Sequence, residues 1–216
     1  MCGIVGYIGN KPVYDILING LKKLEYRGYD SSGIMIYNQK PLVKKAKGKV
    51  SDLEKLFVNS ADKQGYLGIG HTRWATHGPP NQINSHPHTS NSGEITLVHN
   101  GIIENYDSIK KILTQKGYIF HSDTDSEVLV NLIEDIKKTK NVKLGKAVYF
   151  ALKQVVGAYA IVVFDSKNPK EIVGARLGSP LAIGVGDSEY YFGSDATPFL
   201  DLLNVVFTLM IMKCSL

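Results

Sequence analysis

The spacing of apolar residues changes repeatedly along the chain, and each change predicts an element. Gly3 to Ile8 is a short, nearly continuous apolar run and reads as a buried strand. Pro12 then stands where a helix starts. Val13, Ile16, Leu17, Leu21 and Leu24 recur at helical spacing, which predicts an amphipathic helix. Further strands are predicted at Ile34 to Tyr37, Tyr66 to His71 and Ile95 to His99, the last ending at Asn100-Gly101. Between 43 and 50, Lys44, Lys45, Lys47 and Lys49 interleave with Val43, Ala46, Gly48 and Val50, a strand with one solvated face.

The second half alternates the same way. Ile109, Ile112 and Leu113 give a helical pattern, as do Val128, Leu129, Leu132, Ile133 and Ile136, with a third helix near 145–154. Four glycine-punctuated strands follow, at Ala158 to Phe164, Glu171 to Ala175, Leu181 to Val185 and Tyr190 to Phe192. Neither a repeat nor a linker interrupts this order, so residues 1–200 read as one domain. Residues 201–216 form an atypical apolar tail, too short to span a bilayer. It has the character of a truncated or frame-shifted product, or of a strand whose partner is missing.

Composition narrows the class. At 216 residues and 44% hydrophobic content the chain can bury one large α/β core. Two cysteines, Cys2 and Cys214, are too few for a disulfide framework. With no leader-like apolar region at the start and no membrane-length run, a cytoplasmic protein with no membrane association is expected. The net charge of +5 is carried mainly by Lys, with arginine only at Arg27, Arg73 and Arg176 and no aromatic stacking pattern beside the basic run. Nucleic acid is therefore not expected as a partner.

The candidate chemistry starts at Cys2. An initiator Met followed by a small residue is open to removal, which would leave Cys2 with a free α-amine beside its own thiol. That amine titrates near neutrality and can take the thiol proton, the arrangement of an N-terminal nucleophile. A buried, inert cysteine is the plainer alternative. In LEYRGYDSSG (24–33), Arg27 lies between Glu25 and Asp30, placed to brace a rigid loop or to meet an anion. HTRWATHG (71–78) delivers Arg73, Trp74, Thr76 and His77 from a strand end into a turn-rich loop, the composition of a ligand-gripping lid. Arg73 has the planar fork that suits a carboxylate.

Asn100-Gly101 suggests either a turn or two donors converging on an oxyanion, and the helical pattern after it weakens the turn. Thr124 and Glu127 have the spacing of a capping box, which leaves Asp125 free to receive an ammonium group. Five of six histidines, including His77 and His86, fall between 71 and 99, yet their spacing matches no metal motif. No metal or other cofactor is expected.

CGIVGYIG, LEYRGYDSSG, HTRWATHG, HPH, HNGIIENY, TDSE and GARLGSPLAIG occur in this order. Together they resemble the class II glutamine amidotransferase domain of the glutamine–fructose-6-phosphate transaminase family, over residues 2 to about 198. The resemblance implies an α+β fold, the four-layer αββα sandwich of N-terminal nucleophile hydrolases. It implies L-glutamine as substrate, Cys2 as nucleophile, and Asn100 and Gly101 as the oxyanion site. It implies Arg73 on the glutamine α-carboxylate and Asp125 on its α-amine. Trp74, Thr76 and His77 match a mobile glutamine loop, and Arg27 and His86 lie at or near the site. Whole members of the family add sugar-phosphate isomerase domains that bind fructose 6-phosphate, and are expected to be homo-oligomers. Nothing in these 216 residues supplies those domains. The alternative is an inactive fragment or a binding module.

Overall fold

The strand that leads out from Cys2, β1 (Gly3–Ile8), lies at the centre of a seven-stranded sheet and is buried along its whole length. The computed structural model describes residues 2–74, 78–200, 202–203, 206–208 and 211–215. After β1 come α1 (Val13–Leu24), β2 (Ser31–Asn38), β3 (Lys40–Lys47), α2 (Val50–Glu54), β4 (Leu67–Arg73), β5 (His88–Thr89) and β6 (Ile95–Ile103). Three helices follow, α3 (Tyr106–Gln115), α4 (Asp125–Lys140) and α5 (Leu144–Leu152). The chain then runs through β7 (Gly157–Asp165), β8 (Glu171–Leu177), β9 (Ala182–Gly186), β10 (Glu189–Gly193), β11 (Val206–Thr208) and β12 (Ile211–Ser215).

The strands form two antiparallel sheets, ordered β11-β9-β10-β1-β4-β2-β3 and β12-β8-β7-β6-β5. Strand alternation stacks the two sheets face to face with helices on the outer sides, four layers in all. Ile4 and Ile8 of β1, with Leu67 and Ile69 of β4, meet Val98, Ala160, Val162 and Phe164 of the second sheet. The opposite face of β1, Val5 and Tyr7, packs on Val13, Leu17, Leu21 and Leu24 of α1. On the far side, Leu97, Ile161 and Val163 pack under α3, α4 and α5. The molecule is thus an α+β sandwich in the order helix, sheet, sheet, helix, as expected. β1 lies between α1 and a second sheet, which is why its sequence is a run and not an alternation. The Lys-rich β3 is the sheet edge, where charged side chains suit solvent and discourage further pairing.

Three readings of the sequence are corrected. The strand at Ile95 does not stop at Asn100-Gly101 but continues to Ile103, with Gly101 paired to Tyr159. Pairing along β7 overrides the turn preference, and Gly101 carries φ +132°, with Ala158 O only 2.0 Å from where a Cβ would stand. Secondly, Thr124 caps α4 by accepting from Glu127 N, but the Glu127 carboxylate turns to the N–H groups of His121 and Ser122, so the capping box is half made. Thirdly, the tail is partnered: β11 pairs with β9 and β12 with β8, one edge strand in each sheet.

The segment bearing His86 lies tight on β2. A Cβ on Gly33 would stand 2.2 Å from His86 O and 3.0 Å from Lys44 O, both rigid backbone atoms. Gly33→Ala is expected to destabilise the domain by about 1–3 kcal/mol through overpacking. Urea denaturation would measure this, and an unchanged midpoint would contradict it.

Candidate active site

β1, β4 and β6 bring their key residues together from two sheets. β1 and β4 are neighbours, so the start of β1 lies beside the end of β4, where Gly3 pairs with Thr72 and Arg73 follows. β6 belongs to the other sheet and crosses behind them. Alternation along β6 separates two adjacent residues. His99 turns towards α4, with Nδ1 2.8 Å from Ser126 Oγ, while Asn100 turns to the first sheet.

Cys2, half-buried, sits at the mouth of a cavity of about 230 Å³. Its Sγ accepts from Trp74 N–H at 3.2 Å and lies 3.5 Å from Trp74 O. Burial pushes the thiol above its ordinary value of 9.0, against the lowering effect of the Trp74 N–H. At neutral pH the resting group is therefore a thiol, and it needs a base to become a nucleophile.

Asn100 Nδ2 donates to Cys2 O at 3.0 Å and to Ser194 Oγ at 2.9 Å. Arg73 is buried at the end of β4, its guanidinium 3.3 Å from Gly78 O and 3.4 Å from Pro79 O. Asp125 opens α4, and its Oδ2 accepts from Ile103 N at 2.8 Å, which ties the end of β6 to the start of the helix. Cys2, Arg73, Asn100, Gly101 and Asp125 all line the same cavity, which therefore holds a buried cationic fork, a carboxylate, a thiol and an amide.

Other predicted residues take up defined places. Arg27 lines the cavity too and pairs with Asp195, 2.8 Å away and remote in sequence. Glu25 caps α2 by accepting from Val50 N. Trp74 is half exposed at the rim, edge-on to Tyr29 with ring centres 5.4 Å apart. His86 is buried in the wall, stacked on His71 at 4.1 Å between ring centres and edge-on to His88 at 4.7 Å. Thr76 and His77 lie outside the described residues.

Two contributors were not singled out from sequence. His71 Nε2 lies 2.8 Å from Asn100 Oδ1, and Ser194 Oγ takes both an Asn100 amide proton and the N–H of Ile4. A lone Ser after a predicted strand carries no local signal. The sequence showed His71 as the end of a predicted strand and one member of a histidine-rich window, with no role of its own. Ser179 and Pro180, from the GARLGSPLAIG segment, also line the cavity.

The histidines of the wall are buried and held neutral. Burial lowers the pKa of His71 from 6.5 to about 3, and pushes His86 and His88 well below the ordinary value. Among the described residues no group of His, Cys, Asp or Glu is arranged to hold a metal ion.

The family model described as "Glutamine amidotransferase domain" matches residues 51–211. A curated relative from Bacteroides thetaiotaomicron, glutamine–fructose-6-phosphate aminotransferase [isomerizing], is 55% identical over 208 residues, which is 95% of this chain and 34% of the relative. The protein of the same name from Chlorobaculum tepidum is 52% identical over 209 residues, again 34% of its length. The chain thus spans about a third of the curated relatives it matches. Among solved structures, the glutamine phosphoribosylpyrophosphate amidotransferase of B. subtilis, complexed with ADP and GMP, superposes with a TM-score of 0.80 at 28% identity, over 98% of this chain and 45% of that one. A glutamine aminotransferase class-II domain protein from Silicibacter pomeroyi shares the fold, with a TM-score of 0.67 at 12% identity over 100% of this chain and 95% of that one.

The neutral histidines make stability depend on pH. Unfolded, they bind protons near 6.5, whereas the folded state holds His71 unprotonated down to about 3. Stability is therefore full above the unfolded value and falls as pH drops through it. The urea midpoint is expected to be clearly lower at about pH 5.5 than at about pH 7.5, before most carboxylates titrate. A flat profile across that window would contradict the buried neutral cluster.

Proposed function

The chain belongs to the family of glutamine amidotransferase domains, and on that premise we propose that its cavity binds L-glutamine and hydrolyses the side-chain amide to glutamate and ammonia. The convergence of Cys2, Arg73, Asn100, Gly101 and Asp125 on one cavity carries this reading. A free amino acid offers a carboxylate and an ammonium, and the cavity offers one partner for each. Arg73 takes the α-carboxylate through its fork and Asp125 takes the α-ammonium. The side-chain amide is then left to face Cys2.

A thiol needs a base to become a nucleophile, so the step begins with one. Once Met1 is removed, the α-amine of Cys2 takes the thiol proton and the sulfur attacks the amide carbon. Negative charge gathers on the carbonyl oxygen, and the Asn100 amide and the Gly101 N–H donate to it. Collapse breaks the carbon–nitrogen bond, the α-ammonium returns its proton, and ammonia leaves. Water, deprotonated by the same amine, then splits the γ-glutamyl thioester to release glutamate and restore the thiol. Trp74 borders bound glutamine at the rim, while Arg27 and His86 shape the wall.

The curated relatives are named for amino transfer to fructose 6-phosphate and are about three times longer than the matched region. In a full-length protein of that kind, the ammonia released at Cys2 is passed to fructose 6-phosphate, bound by parts outside these 216 residues. The setting proposed is a soluble cytoplasmic enzyme. Among the described residues no helix is long and apolar enough to cross a membrane.

Glutamate release from glutamine by the Met1-processed protein is the direct test. Cys2→Ala is expected to abolish it without lowering the melting temperature, and retained release would overturn the mechanism. Arg73→Lys keeps the charge but loses the fork, and is expected to raise KM for glutamine about tenfold or more with a smaller change in kcat. An unchanged KM would remove Arg73 from the carboxylate.

A further inference from the structure

We propose that His71 and Ser194 are positioning residues for the Asn100 amide, fixing which of its edges faces Cys2. The inference rests on the glutamine-hydrolysis reading and adds the means by which its oxyanion donor is aimed. Three contacts determine the amide's orientation. Cys2 O can only accept, so the Asn100 atom 3.0 Å from it must be the Nδ2 donor. Oδ1 then faces His71 Nε2 at 2.8 Å, and the same Nε2 lies 3.1 Å from His99 O. Both of these partners are acceptors, so Nε2 carries the proton and Nδ1 does not. Ser194 Oγ accepts the second Asn100 proton at 2.9 Å and the Ile4 N–H at 2.8 Å, and Ser194 N returns a bond to Ile4 O at 3.1 Å.

Rotating the amide by half a turn would set Oδ1 against Cys2 O, oxygen to oxygen, and Nδ2 against a His71 donor. His71 and Cys2 O together exclude that state. Ser194 bonds both to the amide and to Ile4, two residues from Cys2, so amide and nucleophile share one anchor. In the resting site both Asn100 protons are committed. When the oxyanion forms, the proton on Cys2 O turns to it while Ser194 holds the other, and the amide pivots without leaving its edge. Asn100 and both of its positioning partners are buried, Ser194 and His71 at 1% exposure each, so water does not substitute for either partner.

Donation to the oxyanion is made mainly in the transition state, so misaiming it lowers kcat more than it raises KM. Ser194→Ala and His71→Phe are each expected to lower kcat for glutamine hydrolysis about ten- to a hundredfold, with KM changed less than about threefold. Ser194→Thr and His71→Gln, which keep the acceptor and the donor, are expected to recover most of the rate. The deciding measurement repeats Ser194→Ala and His71→Phe in an Asn100→Ala background, where neither should lower kcat further. Multiplicative losses in that background would make the two residues structural and overturn the inference alone. Wild-type protein with Met1 removed and no glutaminase activity would overturn the functional reading and this inference with it. If Ser194→Ala does not fold, the His71 variants, which leave the Ile4 anchor intact, decide the matter by the same criteria.

Discussion

The hydrogen bond from Asn100 to the carbonyl of Cys2 joins the two sheets at the point where the chemistry is placed. Its two ends lie 98 residues apart and in different layers, so the bond exists only when both sheets have packed. Ile4, Ile8, Val98 and Val162 supply the apolar contact that holds the layers together beside it. Burial of this kind is non-directional and sets distance, whereas the hydrogen bonds of Asn100 set angle. The site needs both, because a nucleophile and an oxyanion donor must agree on one position for the reacting carbon.

Charge is distributed with the same economy. Arg73 and Asp125, the carboxylate at a helix N-terminus, flank the cavity with Arg27, which is paired to Asp195, and the histidine cluster behind it is kept neutral by burial. A charged wall would compete with the substrate for Arg73 or Asp125. A neutral one leaves the zwitterion as the natural counterpart of the pair. The raised pKa of the Cys2 thiol fits the same logic, since a resting thiolate beside Arg73 would occupy the cation that the substrate carboxylate needs.

The sequence disclosed most where a signal is local. The run Gly3–Ile8 and the spacing of Val13, Leu17, Leu21 and Leu24 revealed β1 and α1, because periodicity reports burial directly. Cys2, Arg73, Asn100, Gly101 and Asp125 were picked out by residue type and motif, and the fold brings all five to one cavity. What escaped was decided by distant partners. Asn100-Gly101 looks like a strand end in isolation, yet pairing with Ala160 and Tyr159 carries the strand through. The Arg27 partner Asp195 lies 168 residues away, beyond the reach of any local pattern. His71 and Ser194 act on Asn100 only through tertiary geometry, and a buried His or Ser has no signature of its own.

The central claim is that Cys2 becomes the first residue and the reactive group of a glutamine pocket. Intact mass of the purified protein, before and after exposure to the glutamine mimic diazo-oxo-norleucine, tests it most directly. The account predicts a mass lacking Met1 and one covalent adduct on Cys2 that excess glutamine prevents. Retained Met1, or a processed protein that takes no adduct at Cys2, would contradict it.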